Sequence, residues 1–276
     1  MADTLGGFLR ARREQLSPEQ AGLPAGVRRR VPGLRREEVA YLAGISPEYY
    51  LRLEQGRNQH PSDEILDSLA SALQLDDDAI VYLHRLAHPA PAARRRRPRR
   101  QGSDATLQPL LDGWPLTPAY AQGPDGRVVA ANPLAVALCP FFAVGHNPLR
   151  AAFLEPEMRS LYPQWDDMTA KAVSGLRAVL SLDDADPDLL ATIGELTVAS
   201  QRFRTLWAKR DVRRRATGHT RFDHPQVGTL DLRYEKLLRP EAQQLLVIYH
   251  ADPGSPSAEG LQLLAGLTSG RDGAVD

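Results

Sequence analysis

Three side chains in one short stretch carry the chemistry needed to meet nucleic-acid bases. In Ser46-Pro47-Glu48-Tyr49-Tyr50-Leu51-Arg52, a helical period sets Glu48, Tyr49 and Arg52 apart from Tyr50 and Leu53, which can face inward. A glutamate so placed can accept from a cytosine amino group. An arginine can donate to guanine or to a phosphate, and a tyrosine can pack on a sugar or a thymine methyl. Upstream stand Arg28, Arg29 and Arg30, then Arg35 and Arg36. Long cationic arms beside a groove-reading helix suit phosphate contact; the competing reading of the run is a solvated charge cluster. Asn58, in the loop after the helix, is grouped with this set.

Two short helices and a tight turn must position these groups. The first is expected at about Arg36 to Ala43, with Val39, Leu42 and Ala43 on one apolar face. Gly44 can take the positive φ that a helix C-terminus often needs. Ser46 can cap the second helix, Pro47 fits its first position, and the helix runs to about Gln55. The order Glu-Glu-Val-Ala-x-Leu-Ala-Gly-Ile-Ser, followed by Leu-Glu-Gln-Gly-Arg, resembles the phage-repressor-like (Xre/Cro) helix-turn-helix family. That resemblance implies that Pro47, Glu48 and Arg52 approach bases and Arg36 a phosphate. Pro47 offers no side-chain hydrogen bond, so one reading position is apolar in this chain. Around the pair, a helix is expected at 4–16 with Leu5, Phe8 and Leu9 inward and Arg10, Arg12 and Arg13 on other faces. A fourth helix is expected behind a Ser62 cap, and a fifth opens at Asp76 to Asp78. The three aspartates lack the spacing and glycine of a calcium loop, so helix N-terminal charge accounts for them.

The chain has 276 residues and a formal net charge of zero, which hides an asymmetry. Residues 1–100 hold 17 Arg against 13 acids, whereas residues 101–276 hold 17 Lys plus Arg against 21 acids. The basic half contains the helix pair, which is the sign a DNA partner requires. No apolar run approaches the roughly eighteen residues of a membrane span. The N-terminus lacks a signal-peptide core, and Cys139 stands alone, so a cytoplasmic location is expected. The expected organisation is a helical domain at 1–88, a proline- and arginine-rich linker at 89–104, and a second domain at 105–276. The linker arginines either follow the DNA backbone or are solvated.

The second domain opens with strand signals at Pro118 to Gln122 and Arg127 to Ala131 around an Asp125-Gly126 turn. Helical spacing follows at Glu155 to Tyr162, Asp166 to Leu180, Pro187 to Ser200 and Phe203 to Lys209. Strands return at Thr217 to His224, Thr229 to Leu238 and Gln243 to His250. A helix closes the pattern at Ser257 to Leu267. Strands at both ends around helices indicate an α+β domain with an antiparallel sheet. The expected fold class is therefore a helix-turn-helix bundle followed by an α+β, PAS-like domain.

Several ordered motifs carry a second resemblance: Val129-Ala130-Ala131-Asn132-Pro133-Leu134, Asn147-Pro148-Leu149-Arg150, Leu161-Tyr162-Pro163-Gln164-Trp165, Phe203-Arg204-Thr205-Leu206-Trp207 and His224-Pro225-Gln226-Val227-Gly228. They are similar to the ligand-binding domain of the MmyB-like transcription regulators. The resemblance implies a PAS-like fold with a largely apolar pocket and a small apolar or fatty-acid-like ligand. Phe153, Tyr162, Trp165, Phe203 and Trp207 offer aromatic surface for it, and Arg150 or Arg177 could pair with a carboxylate. Asn132, Asn147 and His224 lie in the motifs and join the candidate ligand set. Each of these residues also has a plain structural reading, as core or as a surface pair.

None of the seven histidines stands at zinc-binding spacing with Cys or Glu, and no phosphate loop, dinucleotide glycine pattern or G-x-S-x-G elbow occurs. The expectation is a sequence-specific DNA-binding regulator, not an enzyme, needing no cofactor and acting as a homodimer on double-stranded DNA. The alternative is a DNA-binding regulator whose second domain serves only for dimerisation or protein docking.

Overall fold

The computed structural model describes residues 4–24, 31–57, 60–88, 107–180, 186–213, 216–240 and 242–272. Arg28, Arg29, Arg30, Asn58 and the linker arginines lie outside the described residues. The chain divides into two compact units: one holds residues 1–95, 173–184 and 205–214, the other 96–172, 185–204 and 215–276.

In the first unit, local chemistry starts each helix. For α1 (Leu5–Gln15), the Thr4 hydroxyl accepts from the Gly7 amide at 3.2 Å. For α2 (Arg36–Leu42), the Glu38 carboxylate reaches back to the Arg35 amide at 2.6 Å, half of a capping box. Gly44, at φ +66°, ends that helix in the left-handed region. The Ser46 Oγ accepts from the Tyr49 amide at 3.1 Å and Pro47 takes the first position of α3 (Pro47–Glu54), as expected. Asp76 caps α5 (Asp77–Ala87) through Ala79. Ser62 occupies the cap position of α4 (Asp63–Ala72), but its side chain makes no capping bond, contrary to expectation. Phe8, Leu9, Leu34, Val39, Tyr50, Leu53, Leu66, Leu69 and Leu83 are fully buried together. Gly6 allows α1 to reach the end of α3: a Cβ there would lie 2.3 Å from the Glu54 carbonyl oxygen.

The second unit is built on a five-stranded antiparallel sheet in the order β2-β1-β5-β4-β3. Its strands are β1 (Ala119–Gln122), β2 (Val128–Ala131), β3 (Thr217–His224), β4 (Gly228–Arg239) and β5 (Gln244–His250). One face carries Tyr120, Phe222, Leu230, Leu232, Tyr234, Val247 and Tyr249. It packs with residues of α7 (Pro133–Leu138), α8 (Pro148–Leu154), α9 (Glu157–Leu161) and α13 (Pro256–Asp272). The other face, with Ala119, Ala121, Ala130 and Leu246, packs with Leu107 and Leu111 of α6 (Leu107–Asp112). The remaining helices are α10 (Trp165–Val179), α11 (Pro187–Ala199) and α12 (Gln201–Lys209); α10 and α12 each contribute residues to both units.

One expectation needs correction. The single helix expected at 155–162 is only α9, and α8 precedes it unanticipated. Asn147 caps α8 and Pro148 opens it, while Glu155, just before Pro156, is extended (φ −97°, ψ 121°) and separates the two. In α13, Leu261 and Leu264 are buried but Leu263 and Leu267 face outward.

Candidate functional site

The reading side of α3 is open. Ser46, Pro47, Glu48 and Arg52 are exposed, Tyr49 is half-buried, and Tyr50 and Leu53 are fully buried behind them. The Arg52 guanidinium carbon lies 5.8 Å from the centre of the Tyr49 ring. Neither Glu48 nor Arg52 has an ion-pair partner among the described residues. Among the described residues the two groups therefore keep their hydrogen-bonding capacity unused.

Arg13 and Glu54 hold this helix in place, a pairing that sequence reading missed. The Glu54 side chain is only 2% exposed and accepts from the Nε of Arg13 and the Nε of Arg36, both at 2.6 Å. Arg13, expected on an outer face of α1, is buried and also donates to the Leu34 carbonyl at 3.0 Å. One carboxylate thus joins α1, the start of α2 and the end of α3. Arg36 is tied to Glu54 while its side chain stays about half exposed, and Arg35, equally exposed, reaches Glu37 at 3.5 Å.

Burial alone would raise the Glu54 carboxyl, but the hydrogen bonds and charges of Arg13 and Arg36 outweigh it and hold its pKa below the ordinary value. A depressed carboxylate stabilises above its unfolded pKa of about 4.3, and the contribution is lost as pH falls towards the folded value. Thermal melts followed by helical circular dichroism should therefore show wild type losing more stability between about pH 5 and pH 3 than Glu54→Gln. Parallel losses would contradict this assignment.

In the second unit, three of the five expected aromatics come together. Phe153 meets Phe203 edge-on at 5.1 Å and Trp165 at 6.4 Å. The Trp165 indole donates to the Ala152 carbonyl at 2.7 Å and lies under Arg159 at 4.1 Å. Tyr162 belongs to a different group, 4.7 Å from Phe222. That group includes Tyr120, Phe142 and Tyr249, with Tyr120 stacked on Phe142 at 4.4 Å. Burial raises the pKa of Tyr120, Tyr162 and Tyr249. Four of these residues were not singled out from sequence. For Tyr120, Phe222 and Tyr249 the signal was inward parity on β1, β3 and β5, readable only once strand pairing is known; Phe142 lies in a short 3-10 turn, Pro140–Phe142, that has no such parity. Trp207 lies in the first unit with Arg177, whose guanidinium stacks 4.0 Å from the indole centre and donates to the Trp207 carbonyl at 2.6 Å. Burial, and then the like charge of Arg210, lowers the Arg177 pKa.

The polar candidates are engaged locally. The Asn132 Oδ1 accepts from Ala119 and Ala135, and its Nδ2 donates to the Leu111, Trp114 and Thr117 carbonyls. Asn147 caps α8 at Arg150. The Arg150 side chain pairs with Glu195 at 2.9 Å and reaches Glu155 at 3.6 Å. His224 is buried: its Nε2 meets the Ala137 carbonyl at 3.0 Å, and its Nδ1 accepts from the Gln226 amide. Cys139 is buried beside Met158, and burial pushes its thiol up to about 12, which disfavours the reactive thiolate. Among the described residues, no group of three His, Cys, Asp or Glu is arranged to hold a metal ion.

A family model described as a helix-turn-helix domain matches residues 4–83. A second, described as the MmyB-like transcription regulator ligand binding domain, matches residues 104–264, more than half of the chain. The chain belongs to the MmyB-like transcription regulators. It is a DNA-binding transcription regulator with a ligand-binding domain. No curated protein gave a significant match. In this MmyB-like regulator the helix-turn-helix match spans α1 to α3 and the Arg13–Glu54–Arg36 cluster, and the ligand-domain match spans all five strands. No described helix is long and apolar enough to cross a membrane.

Proposed function

We propose that this regulator reads a specific operator in the major groove through α3, with Glu48 and Arg52 on base edges and Tyr49 packing beside them. The observation that carries the reading is the division of α3. Its core face is sealed, and its far face presents an acceptor and a donor with no ion-pair partner among the described residues. Arg36, fixed at its Nε by Glu54, keeps an exposed edge for a phosphate. Arg28, Arg29, Arg30, Arg35 and Asn58 complete the proposed DNA-binding set.

The second unit senses a small apolar or fatty-acid-like molecule, with Phe153, Trp165 and Phe203 as its apolar contacts. Asn132, Asn147 and His224 position backbone around that unit. Ligand binding shifts DNA affinity by the difference in its affinity for two states of the protein. The protein acts in the cytoplasm as a homodimer on two half-sites.

Arg52→Ala should weaken operator binding by about 1–3 kcal/mol while leaving random-duplex binding within about twofold, measured by fluorescence anisotropy at one salt concentration. Equal losses on both duplexes would remove Arg52 from the reading set. Native mass spectrometry of the full chain, repeated after denaturation, tests the ligand. An added mass of an apolar molecule released by denaturation supports the reading; a tightly held polar metabolite contradicts it.

A further inference from the structure

One cation of the second unit is placed unlike its neighbours. Lys236 follows Leu230, Leu232 and Tyr234 at alternate positions of β4, and those three are the strand's buried residues. Alternation puts Lys236 on the same, core-facing side. It stands in register with Val247, which is buried on that side, and Tyr234 stands in register with Tyr249. The amine lies over the Tyr234 ring, 5.2 Å from its centre, and the residue is half-buried. Burial lowers its pKa below the usual lysine value. Among the described residues it meets no carboxylate and donates no side-chain hydrogen bond. Other basic side chains of this unit do meet acids: Arg150 meets Glu195, Lys171 Asp167, Arg202 Asp166, Arg221 Asp231 and Arg233 Asp252.

An ammonium withdrawn from water on an apolar face is unfavourable until an anion reaches it. An aromatic face beneath it keeps it in place without neutralising it. We propose that Lys236 anchors the anionic head of the sensed molecule, which therefore carries one carboxylate-type charge on an apolar body. The aromatic wall of Tyr234 and Tyr249 receives the body next to the head. This rests on the apolar-ligand reading above. It replaces Arg150, held by Glu195, and Arg177, stacked on Trp207, as the cation that meets the ligand's charge.

The test titrates the full chain with dodecanoate and with dodecan-1-ol, which share chain length and differ in charge. Wild type should bind dodecanoate at least about tenfold more tightly at pH 7, a difference of about 1.4 kcal/mol. Lys236→Met should abolish that preference while still binding dodecanol, and a circular dichroism spectrum and melting temperature matching wild type show that the variant is folded. Lys236→Arg should keep the preference. It should also hold it at alkaline pH, where wild type loses it as the lysine deprotonates. Retention of the preference in Lys236→Met overturns the anchor alone. Failure of wild type to bind either compound overturns the apolar-ligand reading together with the anchor.

Discussion

Glu54→Gln should lower the melting temperature of the helical unit by more than about 10 °C while leaving it folded at low temperature. The Glu54 side chain is 2% exposed and that of Arg13 8%, so the substitution leaves a buried guanidinium with only the half-exposed Glu14, 3.6 Å away, as counter-charge. Removing one member of such a pair typically costs about 3–5 kcal/mol, and in a domain of this size each kcal/mol moves the midpoint by about 4–8 °C. The loss comes from the stranded arginine more than from the missing attraction. Replacing both residues by apolar ones, Arg13→Met with Glu54→Leu, should therefore recover much of the stability. Calorimetry on the three proteins checks this. A Glu54→Gln midpoint within about 2 °C of wild type would show that the cluster contributes little to the fold.

Asn132→Ala should destabilise the second unit by about 1–3 kcal/mol while leaving the helix-turn-helix intact. The side chain caps α7 and also ties the start of β1 to the segment after α6, so its loss frees the Ala119 and Ala135 amides and three carbonyls. Asn132→Asp separates the two halves of that role. It keeps the oxygen that caps Ala135 but turns a carboxylate towards the Leu111, Trp114 and Thr117 carbonyls. Its folded pKa must rise, so this variant should gain stability as pH falls, opposite in sign to the Glu54 effect. Hydrogen exchange of β1 and α7 amides across pH reports it. Equal exchange in wild type and Asn132→Ala would show that the amide holds nothing together.

What was legible in the sequence was local. The Gly44-Ile45-Ser46-Pro47 turn announces itself within four residues, and strands β3 to β5 show alternation long enough to read. Helix α8 is only seven residues long, too short for helical spacing to mark it, and Pro148 at its start and Pro156 just after it are as compatible with a loop as with a helix. The Arg13–Glu54 clasp joins residues 41 apart, and nothing in the period of α1 marks Arg13 as buried. The Tyr120–Tyr249 contact spans almost the whole second unit, and only the register of β1 with β5 brings the two rings together. Lys236 stood in an inward slot of β4 in plain view, but its missing acid partner can be seen only in three dimensions.

The proposed function turns on sequence-specific reading of DNA by α3. The most direct test selects duplexes from a random pool with the full chain, then measures the affinity of the winner against a shuffled duplex at about 150 mM salt. The expected result is an enriched site bound at least about a thousandfold more tightly than the shuffled duplex. Affinities that agree within a few-fold, with no enriched sequence, would contradict it.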